Sequence, residues 1–254
     1  MGAPPLPLKP LSTNSKSGQA FFVSHHGRFI VKTISTEEAQ EFIDVIPQYV
    51  SHVMGSVAEP GQGVQSLIGR YLGLYHLFLG DGVGHVYVTV MQSVFDCPLR
   101  VAAMYDMKGS THNRSAKSAD ESVRKDNDWI ADGRRLRLSA SDAQHLREVH
   151  RRDTNFLSSL NLMDFSLLIG IAPSRAEGEE APPAVWRSED GTECYCIGII
   201  DFLVGFGARK LAEKMMHHAL GRGATASVTD PASYAERQQS FLAEHLLPQG
   251  HPPA

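Results

Sequence analysis

Cysteine is scarce: Cys97, Cys194 and Cys196 are the only three in 254 residues. That number is too small, and odd, for a disulfide scaffold, and it points to a reducing compartment. Long apolar runs are also missing. The best stretch, Cys196 to Phe206, is short and carries Asp201 inside it, below the roughly 20 residues that span a bilayer. An integral membrane protein is therefore not expected. The opening MGAPPLPLKPLSTNSKS lacks the apolar core of a secretory signal and is too rich in proline for a transit helix. Residues 1–16 are expected to be a disordered leader, 248–254 a disordered tail, and the location cytoplasmic. Twelve histidines include no HExxH pattern, which removes a metalloprotease, and no internal repeat is present. With 42% hydrophobic, 8% aromatic and 20% charged residues, the chain has the composition of an ordinary folded domain.

Charge of one sign does not dominate. The net charge of −4 argues against a nucleic-acid partner. Its distribution is uneven, since Arg100 to Arg152 holds 12 of the 24 Lys and Arg but only 8 of the 28 Asp and Glu. That distribution leaves room for a local anion-facing surface.

Phe21–Ser24 and Arg28–Ile34 are apolar, β-branched runs meeting at His26-Gly27, which predicts a hairpin with Lys32 on its second strand. Ser35-x-x-Glu38 is a capping box for a helix with apolar Ala39, Phe42, Val45, Ile46, Tyr49, Val50 and Val53, kinked or restarted at Pro47. Gly69–Leu79 and His85–Met91 predict strands around Gly80-Asp81-Gly82. These elements predict an α+β fold. Ser115–Asp128 is expected as a loop and Ser139–Asn161 as the longest helix. Phe165–Ile171 and Tyr195–Ile200 read as buried strands separated by an exposed Pro- and Glu-rich insertion, 173–193. A final helix should run from Asp230-Pro231 to about Leu247.

Three sets of residues could carry chemistry. Period-two alternation puts Lys32 on the face of Ile30 and Ile34, where a buried ammonium needs an anionic partner, and a strand lysine behind a glycine-containing turn, here Ser17-Gly18, is where a nucleotide kinase would hold phosphate oxygens. The alternative is an edge lysine reaching water. Asp164 opens one apolar strand and Asp201 closes another, the pair of carboxylates that phosphoryl transfer uses, unless each merely caps the next segment. Lys108 and Arg114, around Gly109-Ser110-Thr111, could face phosphates or form a solvated turn. A zinc site from Cys194, Cys196, His217 and His218 lacks ligand spacing.

Taken in order, these motifs resemble the phosphatidylinositol phosphate kinase family. Ser17-Gly18-x-x-Phe21-Phe22 with Arg28 to Ile34 is similar to its glycine loop and nucleotide lysine, Ile46-Pro47-x-Tyr49 to its proline-containing helix, and Tyr71 to Tyr75 to its next strand. Val90-Met91-x-x-Val94-Phe95 resembles its adenine-side linker, and Tyr105-Asp106-Met107-Lys108-Gly109-Ser110-Thr111 with Arg114 its lysine-glycine-serine motif. Lys125-Asp126-x-Asp128, Arg152-Asp153, Met163 to Ile171, Gly198 to Asp201 and Asp230-Pro231-x-x-Tyr234-Ala235-x-Arg237 follow in the family's order.

The resemblance implies a two-lobed kinase with antiparallel sheets over 17–247: an N-lobe to about residue 95, a C-lobe from 96, and an activation loop over 202–229. It implies ATP and Mg2+ as cofactors, with Ser17, Gly18, Lys32 and Met91 on the nucleotide, Asp164 and Lys108 in catalysis, and Asp201 on the metal. Arg114, Lys210, Glu213, Lys214 and Arg222 are expected on the lipid side, facing a phosphoinositide headgroup at an anionic membrane surface on the cytosolic side. Glu213 stands where the family's 5-kinases for phosphatidylinositol 4-phosphate have glutamate and its 4-kinases have alanine, so the expected product is phosphatidylinositol 4,5-bisphosphate. The alternatives are a phosphatidylinositol 3-phosphate 5-kinase, set against by Ile34 and Met163, and an inactive phosphoinositide-binding scaffold. The family's N-terminal elements include a dimer-forming part, and only residues 1–16 precede the glycine loop. An incomplete N-lobe is thus expected, and a homodimer would have to form without that part.

Overall fold

The hairpin expected at His26-Gly27 is the centre of the first sheet. A computed structural model of the chain describes residues 7–11, 19–56, 63–82, 84–97, 99–118, 121–174, 185–207 and 230–248. Strands β1 (Lys9–Pro10), β2 (Phe21–Val23), β3 (Phe29–Ile34), β4 (Tyr71–Phe78) and β5 (His85–Gln92) form an antiparallel sheet in the order β1-β2-β3-β5-β4. Helix α1 (Thr36–Gly55) starts on the capping box, with Ser35 accepting from the Glu38 amide and Glu38 accepting from the Ser35 amide. It buries Ala39, Phe42, Val45 and Tyr49.

Strands β6 (Ala103–Met107), β7 (Val123–Lys125), β9 (Ser166–Pro173), β10 (Val185–Arg187) and β11 (Glu193–Ile200) make the second sheet, in the order β10-β11-β9-β6-β7. A two-stranded ladder joins β8 (Leu162–Met163) to β12 (Val204–Gly205). Helices α2 (Asp126–Ala131), α3 (Ala140–Ser159) and α4 (Pro231–Phe241) belong to this half, α4 running on into a π-helical turn over Leu242–Leu246. Asp230 caps α4 with Pro231 in its first turn, as the sequence predicts. Among the described residues no helix is long and apolar enough to cross a membrane.

Several contacts join the halves. Residues 67–69 lie along β11, with the Ile199 amide donating to Leu67 (2.6 Å) and the Gly69 amide to Ile199 (2.9 Å). The buried carboxylate of Asp153 on α3 accepts from His52 on α1 (2.8 Å), the Ser66 hydroxyl (2.9 Å) and the Leu67 amide (2.6 Å). Beside them, Val94 and Phe95 after β5 rest on Gly198 and Gly170, where a β-carbon would collide with their side chains.

The structure corrects several expectations. Lys9–Pro10 in the leader is an edge strand, a place that tolerates a proline. The loop expected at 115–128 ends in β7, which pairs parallel with β6, so the second sheet is not purely antiparallel. The insertion at 173–193 contains β10, anchored by buried Trp186. The activation-loop range opens with buried Phe202 and Leu203 and with β12 instead of a loop. Helix α1 runs unbroken through Pro47, whose missing N–H falls on the exposed side, and Val50 is exposed too. Helix α3 is no longer than α1, both having 20 residues.

Candidate active site

Register brings Lys32 to its partners. On the same face of the first sheet it opposes Phe21 across β2 and Thr89 across β5, and the next pair is Ile30 with Met91. Its ammonium lies 5.2 Å from the centre of the Phe21 ring and 2.8 Å from Asp201 Oδ1. The Lys32 side chain is 6% exposed and that of Asp201 39%. A lysine this buried needs an anion, and the carboxylate leaves it on the open side of the pair. Asp201 follows β11 directly in the left-handed region, φ 58°. Phe202 anchors it, packing with ring centres 5.7 Å from Tyr49 and 5.2 Å from Tyr71. Burial, with the Asp201 charge second, pushes the Tyr71 hydroxyl well above its ordinary pKa.

Asp164 reaches the same end of the second sheet. Ile200, just before Asp201, pairs with Ser166, two residues beyond Asp164, and Val204 pairs with Met163. Asp164 is also left-handed, φ 61°. Asn113 and Asn161 share this conformation, which Asn and Asp enter more readily than other non-glycine residues. Lys108 Nζ donates to the Asp164 carbonyl at 2.7 Å. Tyr234 on α4 donates to the next carbonyl, that of Phe165. Its pKa is raised by burial first and by the Asp164 charge second, which keeps the hydroxyl protonated as a donor.

The loop that carries Lys108 is tied from below by Asp126. Fully buried, this carboxylate accepts the Lys108 amide (3.0 Å), the Ser110 amide (3.2 Å) and Arg114 Nε (2.7 Å). Gly109 makes the turn at φ 66°, and a β-carbon there would lie 2.9 Å from the Gln238 α-carbon of α4. Only glycine meets both demands. Arg114, expected on the lipid side, is held within the loop: its Nη2 binds the Asp106 carboxylate (2.5 Å) and carbonyl (2.6 Å) while Nε holds Asp126. Burial opposes its charge, but Asp106 and Asp126 outweigh it and hold the pKa above the ordinary value. It is a strut within the loop.

Lys32, Asp201, Asp164 and Lys108 therefore come together, and Met91 lies on the face of the first sheet that carries Lys32. Ser17, Gly18, Lys210, Glu213, Lys214 and Arg222 lie outside the described residues, as do His217 and His218. Asp126, Asp153 and Tyr234 stood in motifs with no role attached, and Gln238 stood in none. The long-range partners of these residues lie between 12 and 131 residues away, so no local pattern signals them.

Magnesium binding needs one or two carboxylates, the rest of its shell being water and substrate phosphate. Asp201, an oxygen donor 39% open to solvent beside a buried ammonium, fits that requirement, and Asp164 is at the neighbouring strand end.

Comparison with known proteins adds to the geometry. A sequence model of the family described as Phosphatidylinositol-4-phosphate 5-Kinase matches residues 6–184 and 184–245. Phosphatidylinositol 5-phosphate 4-kinase type-2 alpha of Gallus gallus is 30% identical, the match covering 93% of this chain and 70% of that protein. Its Homo sapiens counterpart is 29% identical over 94% and 70%. A probable phosphatidylinositol phosphate kinase of Dictyostelium discoideum is 34% identical over 73% of this chain and 26% of its own length.

Proposed function

The chain belongs to the phosphatidylinositol phosphate kinase family, and from that premise we propose that it moves the γ-phosphoryl group of ATP to the 5-hydroxyl of phosphatidylinositol 4-phosphate. Phosphatidylinositol phosphate kinase activity is the family's, and ATP is the substrate it implies. One observation carries the assignment to residues: the buried Lys32 ammonium faces Asp201, with Asp164 at the adjoining strand end.

On nucleotide binding, Lys32 exchanges part of its pairing with Asp201 for phosphate oxygens, and Met91, on the same sheet face, lies alongside the base. Asp201 would hold Mg2+, which when bound neutralises phosphate charge. Asp164 accepts the proton of the attacking hydroxyl, and the Lys108 ammonium, 2.7 Å from the Asp164 carbonyl, offsets charge on the transferring group. The acceptor is a lipid, so the work takes place at a membrane surface. Arg209, Lys210, Lys214 and Arg222 against Glu213 give the 202–229 segment the charge to approach an anionic leaflet.

Glu213 favours the 4-phosphate substrate and 5-hydroxyl transfer. A second reading, 4-hydroxyl transfer to phosphatidylinositol 5-phosphate, is favoured by the names of the relatives, which are phosphatidylinositol 5-phosphate 4-kinases. Incubation with each of the three monophosphates, followed by mass-spectrometric assignment of the product regioisomer, decides between them. The first reading expects phosphatidylinositol 4,5-bisphosphate from the 4-phosphate. Product from the 5-phosphate alone establishes the second, and lipid binding without product from any lipid leaves a scaffold.

A further inference from the structure

Both segments that carry the reacting groups meet a single side chain that the reaction does not use. Met107 immediately precedes Lys108, and Phe165 immediately follows Asp164. Gln238 on α4, 2% exposed, sends its Nε2 to the carbonyls of both, at 3.4 Å to Met107 and 3.2 Å to Phe165. Its Oε1 meets Nε2 of His150, a fully buried residue on α3, at 3.1 Å.

Chemistry fixes the direction of each bond. Only the amide nitrogen can face two carbonyl oxygens, so Oε1 faces His150, and His150 must then carry its proton on Nε2. The other ring nitrogen, Nδ1, has no hydrogen-bond partner among the described residues, as suits an unprotonated acceptor. Turning the amide over would set oxygen against two carbonyls. His150 thereby locks Gln238 in the one orientation that grips both segments.

We propose that Gln238, oriented by His150, is a positioning residue for phosphoryl transfer, holding the Lys108 loop and the Asp164 turn at a fixed separation. The inference rests on the roles given above to Lys108 and Asp164. It assigns Gln238 no contact with substrate, so its loss acts on kcat and not on nucleotide affinity. Burial holds the His150 pKa down at about 4, so its donor form persists through the working pH range.

Gln238→Met keeps the volume and removes the hydrogen bonds. The expected result is a kcat per folded molecule about tenfold lower with KM for ATP changed less than about twofold. His150→Phe, on a different helix, is expected to lower kcat about threefold, and the double variant to be no slower than Gln238→Met, because both act through one amide. A Gln238→Met kcat within about twofold of the unmodified chain, a loss that disappears when corrected for folded fraction, or losses that multiply in the double variant would each overturn the proposal. Amide hydrogen exchange gives a readout independent of turnover. Residues 107–110 and 164–167 should exchange faster in Gln238→Met, and unchanged exchange there overturns the positioning role. An unmodified chain that phosphorylates no lipid refutes the functional reading instead, and exchange still decides the placement.

Discussion

The two sheets are built to different standards of burial. In the second, the inner strands β9 and β11 are covered on both faces, and Leu167, Ile169, Tyr195, Cys196 and Ile199 are all at most 1% exposed. In the first, β4 is an edge strand with Leu72, Tyr75, Leu77 and Phe78 each between 39% and 59% exposed. The first sheet contributes Lys32 and Met91 from its inner strands β3 and β5, whereas the second contributes Asp164, Asp201 and Lys108 at strand ends. The well-packed sheet thus carries the left-handed turns that aim the carboxylates, and the thinly covered one presents a single lysine.

Core substitutions should break this contrast most visibly. Leu167→Ala on β9 is expected to cost about 2–5 kcal/mol, while Leu77→Ala on β4 should stay within about 0.5 kcal/mol. Denaturant titration of both measures the difference, and equal costs would show that the first sheet is better supported than its exposure indicates. Lys32→Met should lower transfer on the order of a hundredfold with liposome binding retained, as the nucleotide role proposed for the lysine requires. Equal loss in co-sedimentation would contradict that division. Gly109→Ala imposes a left-handed alanine against the α4 backbone and should cost about 1–3 kcal/mol, with a matching fall in kcat if the Lys108 loop shifts. A further effect concerns acid. Folded His150 stays neutral down to about pH 4, whereas the unfolded chain takes up that proton near its ordinary value of about 6.5. The unfolded state binds more protons across that window, so stability falls as pH drops from about 6.5 towards 4. His150→Phe should flatten that part of the pH–stability curve, and an unaltered curve would assign the acid sensitivity elsewhere.

Much of the frame was legible because its signals are local. Ser35 and Glu38 announce α1 within one turn, Asp230-Pro231 announces α4, and the uninterrupted apolar runs at Phe165 and Tyr195 mark the inner strands of the second sheet. Lys32 and Asp201 were legible as an anomaly, a charge among apolar residues on each of two strands, and they meet at 2.8 Å. Three-residue β7 and β10 were hidden by charged and proline-rich neighbours, since so short a strand has no periodicity of its own. The surroundings of Arg114 were hidden for a different reason. Composition shows that a guanidinium stands near a glycine turn but not that Asp106 and Asp126 occupy it. The support beneath Lys108 and Asp164 comes from α2 and α4, and the partners across those contacts are set by tertiary packing alone.

The central claim is that the pair Lys32 and Asp201, beside Asp164, is where phosphate changes hands. Transfer of labelled γ-phosphate from ATP to phosphatidylinositol 4-phosphate by the unmodified chain and by Asp201→Asn tests it most directly, with matched thermal unfolding as the control for folding. The expected result is a labelled bisphosphate from the former and a loss on the order of a hundredfold or more in the latter, with the folded fraction unchanged. Undiminished transfer by Asp201→Asn would contradict the account.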